Sequence, residues 1–129
     1  MLDGIFIGNE LDVKVSVSDH IDYDNDVTIA KVVNGKQLYA MWFTSVTKDF
    51  ASIHASGKGM KRDSDFLRVC FSHIFKTVGT KKLIATVRKS NAHVNRLLAY
   101  VGADLIFTVH SGDESLLTYE ITPENCKFM

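Results

Sequence analysis

The hydrophobic pattern has the period of strands in the first part of the chain and alternates between helix and strand after it. Up to about residue 55, apolar residues alternate with polar ones or form short β-branched runs, which is typical of strands. Asn34-Gly35 supplies the two positive-φ residues that a type I′ hairpin turn requires. The strands predicted in this part are "VKVSV" (13–17), "VTIAKVV" (27–33), "KQLYAMWFTSV" (36–46) and "FASIHA" (50–55).

After "SIHASGKGMKRD" (52–63), apolar residues recur with the spacing of an amphipathic helix. Asp63 or Ser64 is suited to cap this helix, and Gly79 to follow its end. A second helix is predicted over 90–102, with Ser90 or Asn91 as its cap. The apolar face of the first helix consists of Leu67, Cys70, Phe71, Ile74, Phe75 and Val78, and the strands predicted around the helices are "KLIATV" (82–87), "DLIFTV" (104–109) and "SLLTYEI" (115–121).

The order of elements is a β meander, then β-α-β-α-β, then one returning strand. Hairpins require antiparallel strands and β-α-β crossovers require parallel ones, so a mixed sheet with helices on its faces is expected. With no linker or repeat, residues 1–129 are interpreted as a single domain of the α/β (α+β) class.

Composition narrows the classes of partner. Fifteen basic side chains balance 15 acidic ones, so no overall field attracts nucleic acid or an anionic membrane. No apolar run is long enough to span a bilayer, and the first residues do not have the pattern of a secretory signal. Two cysteines make no disulfide framework, and no histidine or cysteine pair has zinc-ligand spacing. We therefore expect a cytoplasmic protein without a metal site.

The segment "KKLIATVRKSNAHVNRLLAYVGADLIF" (81–107) resembles the Gcn5-related N-acetyltransferase (GNAT) family, with a strand, Asn91, a Leu-rich helix and Gly102-Ala103 in order. The resemblance extends from about Val27 to the C-terminus. It implies a mostly antiparallel sheet with a central, splayed pair of parallel strands. The ending "GDESLLTYEITPENCKFM" (112–129) is similar to short acetyltransferase-like proteins of tailed bacteriophages.

The resemblance implies that acetyl-CoA lies between the splayed strands. The strand before the loop, here with Ile53, would pair with the pantetheine arm, and the family's loop pattern falls on His54 to Gly59. Glycines allow the backbone to approach a phosphate closely, and helix N-termini attract anions. The cofactor-binding residues implied are Ile53, Gly57, Lys58, Gly59, Lys61, Arg62 and Asn91. Each of these residues also has an alternative role. The glycines would form a plain turn, the basic residues would belong to a solvated loop, and Asn91 would cap the helix.

Catalysis on an amine requires a base that titrates near neutral pH, and His54 is the candidate by its chemistry. A hydrogen-bonded sheet histidine is the alternative, and Asp49 and Asp65 are weaker candidates. Many family members place a Tyr in the second helix as the acid, but that position here is Leu98.

The first hypothesis is thus an N-acetyltransferase for an unidentified amine. A non-catalytic GNAT-fold protein of a bacteriophage, either a virion component or a host-factor inhibitor, is the alternative. A nucleic-acid-modifying acyltransferase has only the mid-chain bases in its support. The GNAT resemblance implies two helices between the first two strands, which build the side that binds the amine acceptor. Only nine residues (18–26) separate these strands here, so the acceptor side is expected to be reduced. An exposed sheet edge would allow a homodimer.

Overall fold

The computed structural model describes residues 4–8 and 26–129. The strands of these residues are β1 (Gly4–Gly8), β2 (Val27–Val33), β3 (Lys36–Thr44), β4 (Ala51–Gly57), β5 (Leu83–Arg88), β6 (Asp104–Ser111) and β7 (Glu114–Ile121). They form one sheet in the order β1-β2-β3-β4-β5-β7-β6. Only the contact between β4 and β5 is parallel, and every other neighbouring pair is antiparallel. The mixed, mostly antiparallel sheet expected from the sequence is therefore confirmed.

The hairpin between β2 and β3 forms at the predicted turn. Asn34 and Gly35 have φ values of 53° and 74°, and Val33 pairs directly with Lys36. The strand that pairs with the outer side of β2 is β1, at residues 4–8, which the sequence pattern did not predict as a strand. The predicted strand at 13–17 and the acidic segment at 18–25 lie outside the described residues. The length of the connection between that predicted strand and β2 therefore stays a prediction.

Both predicted helices form, with caps that use the expected side chains. The first is α1 (Ser64–Ser72), where the Asp63 carboxylate accepts the Phe66 N–H at 3.0 Å. The second is α2 (Ala92–Val101), where the Asn91 side chain accepts the Val94 N–H at 3.3 Å. A 3-10 turn (Met60–Arg62) precedes α1, and a π-helix (His73–Val78) follows it directly. The single amphipathic face of the sequence therefore spans two kinds of helix.

Strand alternation separates the buried residues into two clusters. The larger one lies between the sheet and the helices, and the smaller one contains Ala30, Ala40 and Trp42. Tyr39, Met41 and Phe43 of β3 belong to the larger cluster, so Trp42 lies on the opposite face of the sheet. The largest fully buried side chains of the main core are Phe43, Phe66, Phe71, Ile29, Met41, Met60, Leu67, Ile74, Leu83 and Ile121. No helix of the described residues combines the length and the apolar character needed to cross a membrane.

Candidate active site

A groove opens where the two parallel strands separate. Their pairing consists of only two registers, Ala51 with Leu83 and Ser52 with Ile84. Beyond this point β4 continues to pair with β3 as far as Gly57, and β5 continues with β7 as far as Arg88. Because each strand follows its outer neighbour, the inner edges diverge. The result is a groove of about 360 Å³ between them.

The groove presents main-chain polar groups along the inner edge of β4. At its start the Ala51 N–H donates to the Lys82 carbonyl at 3.1 Å, and at its end the Gly57 carbonyl oxygen lies 3.2 Å from His93 Nε2. Every second residue of a strand directs its N–H and C=O to the same edge. The main-chain groups of Ile53 and Ala55 therefore also face the inner edge. Ile53 was predicted at this position, whereas Ala55 was not, because its side chain gives no signal.

The interior of the groove is mainly apolar. Residues from the sheet and both helices line it, which suits an extended, weakly polar chain. Leu98, the position at which the family resemblance implies a Tyr, is one of these residues, and its side chain is a hydrocarbon. The apolar residues of this wall include Met41, Phe71, Leu97, Leu98, Val101 and Ile121.

His54 lies at the rim of the groove, on the face of the sheet opposite the main core. Its ring stacks on Trp42, with centroids 5.5 Å apart and planes inclined by 17°, and its Nε2 lies 3.0 Å from Thr44 Oγ1. The surrounding protein partly removes water from His54 and lowers its pKa below 6.5, although the charge of Asp26 acts in the opposite direction. At neutral pH the imidazole is therefore uncharged and can accept a proton. Asp49, a weaker candidate, is exposed and pairs with Lys81 at 3.7 Å.

A second depression, which we call the basic recess, adjoins the groove at the end of β4. It is lined by Lys58, Gly59, Lys61, Arg62, His93 and Tyr100. Four of these were predicted as cofactor-binding residues from the sequence, while His93 and Tyr100 come from α2 and were missed. The Lys61 ammonium lies 5.0 Å from the centre of the Tyr100 ring, a cation–π contact. Local sequence patterns do not predict this contact, because 39 positions separate the two residues.

Two glycines shape the chain that enters the basic recess, for different reasons. Gly57 has φ of 105°, and a Cβ there would lie 2.5 Å from the Leu38 carbonyl oxygen, so this position requires the absence of a side chain. Gly59 has φ of 94° but meets no atom within 4 Å. It begins the 3-10 turn, whose buried member Met60 anchors the loop while Lys61 and Arg62 remain exposed. The loop is therefore anchored in the core by Met60 and presents its positive charges to the solvent.

The start of α1 departs from what the family resemblance implies. The resemblance places an anion at the N-terminus of this helix, but the Asp63 carboxylate is already there and takes the Phe66 N–H. Tyr39 donates its hydroxyl hydrogen to the same carboxylate, and Lys31 Nζ lies 3.6 Å away. Burial alone would raise the pKa of Asp63, but the Tyr39 and Phe66 hydrogen bonds and the Lys31 charge together lower it. Phosphate recognition would consequently fall to the basic side chains and the 3-10 turn.

Asn91 lines the groove and caps α2, so both roles weighed for it are geometrically compatible.

Asn95, one turn later, joins three elements at the same corner. Its Nδ2 donates to the carbonyls of Arg88, Lys89 and Asn91 at 3.1, 3.3 and 2.9 Å, and its Oδ1 accepts the Tyr119 hydroxyl at 2.8 Å. It holds the end of β5 against α2 and β7. Nothing in the sequence distinguished it from an ordinary exposed helix residue.

Comparison with known proteins identifies the fold. Neither a protein-family model nor a curated protein sequence matches the chain. Among solved structures, Campylobacter jejuni N-acetyltransferase PseH, crystallised with acetyl coenzyme A, superposes with a TM-score of 0.60 at 13% identity, covering 77% of this chain and 69% of that one. An acetyltransferase of the GNAT family from Bacillus anthracis gives 0.61 at 14% identity, covering 78% and 67%. The chain has the GNAT acetyltransferase fold.

Mycobacterium smegmatis RimJ, solved with CoA-disulfide, shares this GNAT fold with a TM-score of 0.63 at 19% identity. The superposition covers 78% of this chain and 54% of RimJ, so the GNAT fold is present here in a shorter chain. The expected GNAT resemblance is confirmed for the fold. Residues 4–8 and 26–129 contain no group of three or more His, Cys, Asp or Glu side chains placed to hold a metal ion.

Proposed function

We propose that this protein is an N-acetyltransferase that uses acetyl-CoA and acts on a primary amine. One observation carries the proposal: the splayed strands form an apolar groove with main-chain groups along one edge, His54 at its rim and a basic recess at its end. The GNAT fold, which PseH and RimJ share, supports the same conclusion. Acetyl-CoA, when bound, supplies an acetyl group already activated as a thioester.

The residues present fit this cofactor in three places. The inward-facing main-chain groups of Ile53 and Ala55 match the amides of a pantetheine arm, which need partners when they leave water. The apolar wall matches its methylene carbons. Lys58, Lys61 and Arg62 place three positive charges around the basic recess, which suits the phosphates of a nucleotide. Gly57 and Gly59 adopt the positive φ values with which the loop connects the groove to the basic recess.

His54 would act as the base that receives a proton from the acceptor's ammonium group. For this role its Nε2–H must donate to Thr44 Oγ1, which leaves the lone pair on Nδ1. The stack on Trp42 then holds the ring in one orientation. Leu98 supplies no proton donor from the second turn of α2, and Tyr100 lines the basic recess and not the groove. We therefore assign no general acid to α2.

A second candidate is a GNAT-fold protein that binds a partner without catalysis, such as the virion component or host-factor inhibitor considered from the phage resemblance. Two observations favour it: the hydrocarbon side chain of Leu98 in the groove, and the Asp63 carboxylate at the start of α1. An added negative charge at this helix end opposes phosphate binding. The two candidates differ in catalysis and in the affinity expected for coenzyme A.

Titration calorimetry with acetyl-CoA separates the candidates. We expect Lys58→Ala combined with Arg62→Ala to weaken binding roughly 5- to 30-fold, from about 0.5–1 kcal/mol for each exposed phosphate contact. Lys36→Ala combined with Lys76→Ala is the matched control, since it removes the same charge from two exposed sites elsewhere. Wild-type protein that shows no binding at millimolar acetyl-CoA would favour the second candidate. Equal affinities of the two double variants would mean that the phosphates bind elsewhere.

A further inference from the structure

β6 forms one edge of the sheet, and its outer side has no partner strand among residues 4–8 and 26–129. All eight of its residues are exposed. Four of them are large and apolar, which is unusual for a solvent-facing strand of a monomer. They are Leu105, Ile106, Phe107 and Val109, and each exposes between 43% and 53% of its surface.

This edge lacks most of the features that normally prevent strands from pairing with other chains. Proteins protect such edges with lysines, prolines, bulges or short length. Between Leu105 and Ser111 there is no Lys, Arg, Asp, Glu or Pro. One bulge is present, because the register with β7 shifts between Leu105 and Phe107. The regular part of the edge is therefore Phe107 to Ser111.

The bulge also decides which side chains share a face. Phe107 pairs with Thr118 and Val109 pairs with Leu116, so Phe107 and Val109 lie on the same face of the sheet. Leu105 pairs with Tyr119, a member of the main core, and so lies on the face of the helices. The regular part of β6 thus carries two adjacent apolar side chains on the face opposite the helices.

We propose that β6 pairs with β6 of a second copy of this chain, antiparallel, around a twofold axis at Thr108. In this register Phe107 lies opposite the second copy's Val109, and the twofold axis repeats the contact. Main-chain N–H and C=O groups of the two edges then satisfy each other, as in any antiparallel ladder. Such isologous contacts close after two copies, so the product is a dimer with a continuous sheet.

Two features favour a second copy over an unrelated strand, and the buried area sets how strongly it binds. The apolar pair is complementary to itself in the antiparallel register, which an arbitrary partner would not be. The chain carries no net charge, so two copies meet without overall repulsion. Half-exposed side chains of this size contribute roughly 90 Å² each, so Phe107 and Val109 of the two copies together bury up to about 360 Å² of side-chain surface in addition to the main chain. This area is below that of stable interfaces, so the dimer is weak and concentration-dependent.

Sedimentation equilibrium across micromolar to near-millimolar concentrations tests the proposal on the whole chain. We expect the wild type to dimerise with increasing concentration. Phe107→Lys should raise the dissociation constant more than about tenfold, because the substitution occurs twice in each dimer. Phe50→Lys is the matched control: Phe50 is 48% exposed against 53% for Phe107, and it lies outside β6. Circular dichroism and thermal melting check that both variants remain folded.

A mixing experiment tests the register. Val109→Glu alone should also dissociate the dimer, but Phe107→Lys mixed with Val109→Glu should form a heterodimer, since the two substituted positions are opposite each other and of opposite charge. A wild type that stays monomeric at every concentration would overturn the proposal. So would a dimer that tolerates Phe107→Lys, or one that Phe50→Lys weakens equally. Failure of the mixture to associate would overturn the register at Thr108. None of these outcomes depends on acetyl transfer.

Discussion

Replacement of Asp63 should destabilise the protein strongly, because three groups depend on this partly buried carboxylate. Asp63→Ala removes the cap of α1, which contributes about 1 kcal/mol. It also leaves the hydroxyl of Tyr39, a residue only 7% exposed, without its acceptor, at a cost of about 1–3 kcal/mol. The Lys31 pair is partly exposed and adds less than about 1 kcal/mol. We expect a total loss of roughly 2–5 kcal/mol in the free energy of unfolding.

Urea denaturation at neutral pH measures this loss. Asp65→Ala is the matched control, since Asp65 is also in the first turn of α1 but is exposed. It should cost only about 0.3–1 kcal/mol through the helix dipole. Asp63→Asn should fall between them, because Asn caps helices as well as Asp does but lacks the charge. Similar small losses for Asp63→Ala and Asp65→Ala would refute the reasoning.

The pH dependence gives a second reading of the same site. The folded-state pKa of Asp63 lies below its ordinary value of 3.8, so folding favours the charged form. The stability from this charge is complete above the unfolded pKa and is lost as the pH falls through the folded one. The difference between wild type and Asp63→Asn should therefore be constant from neutral pH to about pH 5 and shrink on further acidification. A difference that persists unchanged in acid would contradict the assignment.

Two further predictions concern the loop and the base. Gly57→Ala should destabilise the protein by about 1–3 kcal/mol more than Gly59→Ala. Both glycines have positive φ, but only at Gly57 would a Cβ meet the Leu38 carbonyl. Chemical denaturation of both variants measures the difference, and equal losses would contradict this reasoning. If the protein transfers acetyl groups, the rate should rise with pH through an inflection below 6.5, since burial lowers the pKa of His54. His54→Gln should abolish the inflection and reduce the rate about 10²- to 10⁴-fold, and an unchanged pH profile in that variant would exclude His54 as the base.

Local patterns predicted most of the elements. Interactions within a few residues, which sequence spacing records directly, determine several features. These are the Asn34-Gly35 turn, the helix caps Asp63 and Asn91, and the positions of β2, β5, α1 and α2. The pattern failed for β1, a strand of five residues that carries too few alternations to stand out. It also could not distinguish α1 from the π-helix that extends it, because both present one apolar face.

The sequence by itself determined the charged, glycine-containing loop after β4 and its place between a strand and a helix. Only the tertiary structure decided what this loop adjoins. His93 and Tyr100 join the basic recess, Ala55 faces the groove and Tyr39 binds Asp63 across 24 positions of the chain. These contacts arise because β4 and β5 follow different outer neighbours and separate after two pairs. Divergence of this kind depends on the pairing of the whole sheet, which no local spacing encodes.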